Sequence, residues 1–433
     1  MDSFVRRHAF LIFVLALYLP AGFLFATKTP AWQAPDEPAH YNYIRQLADG
    51  RFPVIEEGDY NQAHLDDILE SRFAPGYSIE PLEYEDYQPP AYYLLQTPVY
   101  EISNGSLTAL RLLSLLLGVG IVILAHATFR LLFPQTGWLA WIATAFVALL
   151  PQHLAILTSV NNDALAWLLV AASLYLLVRL EQQESLSRRD LSLFGLLLGL
   201  CLLTKVTAYL MLPVAGLWLL GRFWRHWRDL LAHAATLFLP ALLLGLVWWV
   251  RNLVVYGGLD FLGTAAHNSV VTGQLQTETW VSQFGLAETV RRLLLTTFHS
   301  FWGQFGWMGV PMPGWVYSLL ALFSLALLVG LLWRWSKTWQ VKSLHWPLLL
   351  LFILNLGLFL AYNLTFVQHQ GRYLFTSLVP IGAGVALGAG VWIRPIIARF
   401  SPAAFLLPAG LALGLFLLDM IALSRWIVPN LTP

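Results

Sequence analysis

Two adjacent carboxylates stand between prolines in Trp32-Gln33-Ala34-Pro35-Asp36-Glu37-Pro38-Ala39-His40-Tyr41, and this turn is the first place where chemistry could be done. Proline fixes φ, so Asp36 and Glu37 sit on a stiff piece of backbone. A carboxylate beside a low-dielectric boundary can have its pKa raised and serve as a general base. It can also ligate a hard divalent cation or contact sugar hydroxyls. Against these stands an equal alternative: acidic residues favour helix N-termini, and the pair could cap a helix over HYNYIRQLADG. His40 is either a polar group of the same site or, with Tyr41 and Tyr43, part of an interfacial helix.

Other polar groups fall at the ends of apolar runs. Lys205 interrupts LLTKVT, Arg251 follows Trp248 and Trp249, and Arg372 lies in VQHQGRYLF with His369 and Tyr373. An ionisable residue inside an apolar run is costly, so each marks a functional candidate. Arg251 could instead anchor its helix by snorkelling to the interface. Asn161, Asn162 and Asp163 form a polar turn in which Asp163 either caps the next helix or touches a substrate. The single cysteine, Cys201, excludes an internal disulfide framework and a Cys-based zinc site. The sequence has no HExxH and no Gly-rich loop followed by Lys-Ser or Lys-Thr. No cofactor is indicated, except that a divalent cation could sit at Asp36 and Glu37.

These groups must be held by a membrane. Of 433 residues, 58% are hydrophobic and 11% charged, against about 25% charged in a typical soluble protein. Apolar runs fall at 9–26, 107–132, 138–158, 164–180, 191–205, 206–221, 230–250, 315–333, 347–366, 374–393 and 402–420, which predicts an all-α polytopic chain of about eleven transmembrane helices. The first run follows Arg6 and Arg7 and is long for a signal sequence, so it reads as a retained span. More than half of the 25 Lys and Arg, Lys342 included, fall in short loops on the N-terminal side, placing that side in the cytoplasm. All acidic residues except Asp2, Glu181, Glu184, Asp190 and Asp229 then fall outside. The net charge of +1 gives no field for nucleic acid. The reading is one membrane domain over 1–433, with external segments at 27–106 and 256–314. Within them HYNYIRQLADG and ETVRRLLLTTFHSFW are expected to form juxtamembrane helices.

The segments PDEPAHYNYIRQLADGRFPV and YEDYQPPAYYLL, followed by SVNNDALAW, GLLLGLCLLTKVTAYLMLP, VWWVRNLVVYG and HQGRYLFTSLVP, together carry a resemblance over most of the chain. In that order they resemble the GT-C superfamily of membrane glycosyltransferases, which includes protein O-mannosyltransferases and lipid A aminoarabinose transferases. The resemblance implies a sugar donor linked to a polyprenyl phosphate and an inverting transfer to a glycan, lipid or protein on the extracytoplasmic side of the inner membrane. Asp36 matches the acidic position of the first external loop, with Glu37 beside it. Relatives often carry His or Lys before the Pro-Pro element; here that residue is Gln88, which can hydrogen-bond but cannot neutralise a phosphate. Lys205, Arg251 and Arg372 become candidates to receive the leaving phosphate. His40, Gln88, Asn162, Asp163, His369 and Tyr373 become candidate substrate contacts. Two other readings compete: a multi-span transporter, which places its site near the midplane and often shows repeated halves, and a lipid-linked glycan polymerase or ligase.

Overall fold

The computed structural model describes residues 3–337 and 345–433; Asp2 and Lys342 lie outside them, as do the side chains of Arg6 and Arg7. The chain is almost entirely helical. All eleven apolar runs are helices, and nine helices among the described residues are long and apolar enough to cross a membrane. A tenth candidate is a bent pair: Gly137–Ala148 and Pro151–Leu157 meet at 57°. Pro151 causes the break, because it stands at the start of the second piece and has no N–H to continue the first. Arg188–Leu202 has only 15 residues and falls short of a span, so nine or ten candidates stand among the described residues where about eleven were expected. It ends before Lys205, and the chain restarts as a 3-10 turn, Val206–Leu210, leading into Met211–Phe223.

Burial sorts the helices into a centre and a rim. The span Asp163–Glu181 has 72% of its apolar window buried, whereas Trp227–Tyr256 has 17%. The outer helix therefore presents rows of leucine and valine, such as Leu243 and Val247, to lipid. Small residues bring the helices together. A Cβ on Gly195 would lie 2.1 Å from the Leu237 carbonyl oxygen, so Arg188–Leu202 and Trp227–Tyr256 touch backbone to backbone there.

The two long inter-span segments fold over one end of this bundle. Segment 27–106 contains helices Glu37–Ala48, Gln62–Glu70 and Ala91–Ile102. It has a small core of its own, built from Ala39, Ile55, Leu65, Ile68 and Leu82, to which the other segment adds Val271. Segment 256–314 supplies Thr264–Val270, Thr277–Phe284 and Leu286–Trp302, and a two-residue antiparallel pairing of Gln304–Phe305 with Val310–Pro311. Both helices expected in these segments form. Leu286–Trp302 leaves Leu286, Val290 and Leu294 exposed along one stripe, as an interfacial helix would. Glu37–Ala48 differs, because it buries Glu37, His40, Asn42, Tyr43 and Gln46 as well as its apolar residues. It is sunk into the protein.

Candidate active site

The prolines make a turn that separates its two carboxylates. Asp36 adopts φ 67, a left-handed conformation that asparagine and aspartate tolerate better than most residues. It occupies the N-cap position of Glu37–Ala48, yet its side chain accepts no hydrogen bond from that helix. Instead Oδ1 accepts from the Tyr84 hydroxyl at 3.1 Å, and Oδ2 pairs with Arg372 Nη2 at 2.7 Å. Capping is therefore not what Asp36 does.

Glu37 points the opposite way and is fully buried. Arg111 Nε and Nη2 donate to its two oxygens at 2.8 and 2.6 Å, and the backbone N–H groups of Trp32 and Val160 complete them. The same guanidinium also donates to the carbonyls of Ala26, Thr29 and Pro30. Glu37 is thus a clamp between the first span, the turn and Leu107–Leu132. The expected catalytic or metal-binding use of Glu37 is not what the structure shows, because none of its acceptor capacity faces a cavity. It cannot join Asp36 around an ion, and no group of three or more His, Cys, Asp or Glu among the described residues could hold a metal.

Arg372 reaches Asp36 because its backbone is pressed against a neighbour. It lies on the 3-10 turn Gly371–Ser377, whose first residue donates its N–H to Ser300 Oγ at 2.7 Å. A Cβ at Gly371 would stand 2.3 Å from the Thr297 carbonyl oxygen, so only glycine allows the approach. Arg372 is buried, and its Nε and Nη1 have no partner. Lys205 occupies the interruption between Arg188–Leu202 and Val206–Leu210 and pairs with Asp163 Oδ1 at 2.7 Å. Asp163 is the first residue of its helix rather than the cap.

Asp36, Lys205, Arg372, His40, Gln88 and Tyr373 all line one cavity of about 470 Å³. Two cations, each already paired with a carboxylate, thus stand in the wall of one space beside the ends of membrane helices. Burial pushes the Asp36 carboxyl up, but the charges of Arg372 and Lys205 outweigh it and hold the group below the usual carboxylate range. Burial drives the His40 imidazole down to about 3, which keeps it neutral. Its Nδ1 lies 2.9 Å from the Tyr93 hydroxyl.

A second carboxyl in this wall, Glu85, escapes the sequence reading. Its Oε2 is buried without a partner. Nothing in LEYEDYQPP separates it from Glu83 or Asp86; only its place in the cavity wall does.

Other expected site residues lie elsewhere. Arg251 donates to Asn252, Tyr256 and the Pro53 carbonyl and lies over the rings of Phe52, Trp248 and Tyr256, so it ties segment 27–106 to Trp227–Tyr256 and is not at the cavity wall. Trp248 and Trp249 beside it were the sequence signal for this anchoring role. His369 packs edge-on against Trp280, outside the cavity lining. Asn162 donates to the Tyr93 hydroxyl at 3.3 Å, one layer behind the wall.

Residues 87–249 match the family model described as dolichyl-phosphate-mannose-protein mannosyltransferase. Among solved structures the chain is similar to ArnT from Cupriavidus metallidurans, both bound to undecaprenyl phosphate and in the apo state. Each gives a TM-score of 0.57 at 13% identity, over 98% of this chain and 74% of that one. It is also similar to the Archaeoglobus fulgidus oligosaccharyltransferase in complex with Zn and sulfate, with a TM-score of 0.53 at 14% identity, over 93% of this chain and 53% of that one. No protein of curated function matches it in sequence. The chain has the fold of the GT-C membrane glycosyltransferases, as the resemblance of its motifs implied.

Proposed function

We propose that the protein is a glycosyltransferase that moves a sugar from a polyprenyl-phosphate donor to a glycan, lipid or protein acceptor. One observation carries this reading: buried Arg372 holds two unpartnered N–H groups, Nε and Nη1, at a cavity that it shares with Lys205. Arginine donates to phosphate oxygens through its free N–H groups. Both cations stand at the starts of candidate spans, Val206–Phe223 and Gly371–Arg399, where a lipid head group would lie if these helices cross the bilayer. The similarity to a protein crystallised with undecaprenyl phosphate supports the same donor class.

In this reading Arg372 and Lys205 receive the negative charge that grows on the leaving phosphate, in a site poor in water where such charges count most. Asp36 fixes Arg372 in place and orients the acceptor for a transfer with inversion. His40, Gln88 and Tyr373 line the space the sugar would occupy. The charge distribution of the loops supports an N-terminus in the cytoplasm and an active face outside the inner membrane. No step requires a cofactor.

The test is undecaprenyl phosphate binding to the purified full-length protein in detergent. Arg372→Ala and Lys205→Ala should each weaken it at least about tenfold, since a charge-assisted contact contributes about 1.5–3 kcal/mol. Unchanged affinity in both variants removes them from a phosphate site. Uptake of a soluble solute into proteoliposomes, without such binding, would instead support a transporter.

A further inference from the structure

The geometry points to Glu85 as the residue that takes the proton from the acceptor hydroxyl, a catalytic role separate from that of Asp36. The inference rests on the glycosyltransferase reading and adds a residue to the same cavity.

Asp36 is poorly suited to accept a proton. Both of its oxygens are engaged, one by Tyr84 and one by Arg372. Its neighbours hold it charged, and removing Arg372 from it would leave a buried guanidinium alone. Glu85 is the reverse case. It lines the cavity, and its Oε2 is buried with no donor or acceptor against it. A buried carboxyl oxygen without a partner costs free energy and calls for an explanation, and in a cavity wall a catalytic role is one. An incoming hydroxyl is the partner this atom lacks.

The backbone fixes the turn that carries Glu85 in the cavity wall. Its turn is closed by the Gln88 N–H on the Glu85 carbonyl at 2.9 Å and the Asp86 N–H on the Glu83 carbonyl at 3.0 Å. Pro89 and Pro90 follow, and the Ala91 N–H then donates to the Leu203 carbonyl at 2.8 Å, two residues before Lys205. The Pro-Pro element thus docks the Glu85 turn onto the helix break that carries the lysine.

The charges around Glu85 explain how it can serve. Burial, and then the charge on Asp36, push its carboxyl up to about 8 against the pull of Lys205, Gln88 and Arg372. On its own turn, burial also raises Asp86, to about 9, and holds Tyr84 and Tyr87 above their usual range. Across the cavity, burial keeps His40 and His267 neutral, and Tyr93 behind His40 is raised as well. Tyr60, Tyr362 and Tyr373 are the other ionisable groups of the wall. The charged neighbours are therefore Asp36, Lys205 and Arg372, with Asp163 behind the lysine. A general base works best with a pKa near the operating pH, and Glu85 meets that condition better than Asp36.

The step balances without a further reactant. The acceptor O–H bond breaks and its proton passes to Glu85 Oε2. The freed oxygen pair forms the new bond to the anomeric carbon as the bond from that carbon to the phosphate oxygen breaks. The departing pair stays on the polyprenyl phosphate beside Arg372 and Lys205, and Glu85 later returns its proton to water.

The experiment uses the full-length protein in nanodiscs, with undecaprenyl phosphate as the binding probe and undecaprenyl-phosphate mannose, glucose and aminoarabinose as donors in the presence of membrane acceptors. Release of undecaprenyl phosphate is the readout. Glu85→Gln keeps the neutral form of the side chain and so preserves the fold, checked by melting temperature. It should bind undecaprenyl phosphate with unchanged affinity and lose at least about 100-fold in kcat, the range of general-base catalysis, with KM for the donor unchanged. In the wild type, kcat should rise about tenfold between pH 7 and 9 as Glu85 ionises; Glu85→Asp should keep partial activity with a displaced pH midpoint. An infrared pH titration should show a protonated-carboxyl band lost near pH 8 in the wild type and absent from Glu85→Gln. Wild-type kcat and pH profile in Glu85→Gln overturn the role of Glu85 and leave the glycosyltransferase reading standing. Failure of the wild type itself to bind undecaprenyl phosphate overturns that reading and this inference with it.

Discussion

Asp36 and Glu37 are neighbours in sequence and opposites in use. Breaking a buried ion pair by removing one partner typically costs about 3–5 kcal/mol, because it strands the other charge. Glu37→Ala or Arg111→Ala should therefore lower thermal stability by that order, measured by unfolding in detergent, whether or not substrate is present. Asp36→Asn also strands the charge of buried Arg372, so it should lower the melting temperature as well as abolish transfer; full activity in the folded variant would refute its orienting role. Arg251→Ala should reduce stability by about 0.5–2 kcal/mol through lost contacts with three aromatic rings and leave undecaprenyl phosphate affinity unchanged. The acidic pair was legible in the sequence as a place of interest. Which member faces a cavity was not, because one peptide unit in a left-handed conformation decides it. Glu85 was hidden for a different reason: its character comes from tertiary burial, which an acidic run does not reveal.

At the level of elements, the interruptions carry the site. Lys205 stands where one short helix has ended and a 3-10 turn begins, and Arg372 stands on a second such turn. Backbone that leaves the regular helix within a membrane protein is tolerated where it is enclosed by protein or lines a cavity, and both turns line this one. Gly371 is the pivot of the second. Replacing it with alanine places a methyl group inside contact distance of the Thr297 carbonyl oxygen and the Phe301 nitrogen. The turn must shift, and Arg372 with it. Gly371→Ala should therefore lower undecaprenyl phosphate affinity at least about tenfold, given that displacing a positioned group by about 1 Å can cost 10²-fold, while far-ultraviolet dichroism stays helical. Unaltered affinity would show that the arginine does not depend on this close approach. The apolar runs made the helices legible. The bend at Pro151 was not, because a proline at a helix start and one at a break read alike in sequence.

Seen whole, the molecule was legible as a membrane protein from its composition, and its fold from the order of weak motifs. The meeting of residues 36, 85, 205 and 372 was not, since contacts across more than 300 positions leave no periodicity behind. Arg372, with one N–H group on Asp36 and two in reserve, has a further consequence for turnover. A sugar donor is a phosphodiester with a single negative charge, whereas the carrier left after transfer is a monoester that can hold two. The spent carrier should therefore outcompete fresh donor for the guanidinium. Progress curves should bend early, and added undecaprenyl phosphate should inhibit at concentrations below the donor KM. Clearing of the used lipid would then decide how long the initial rate persists.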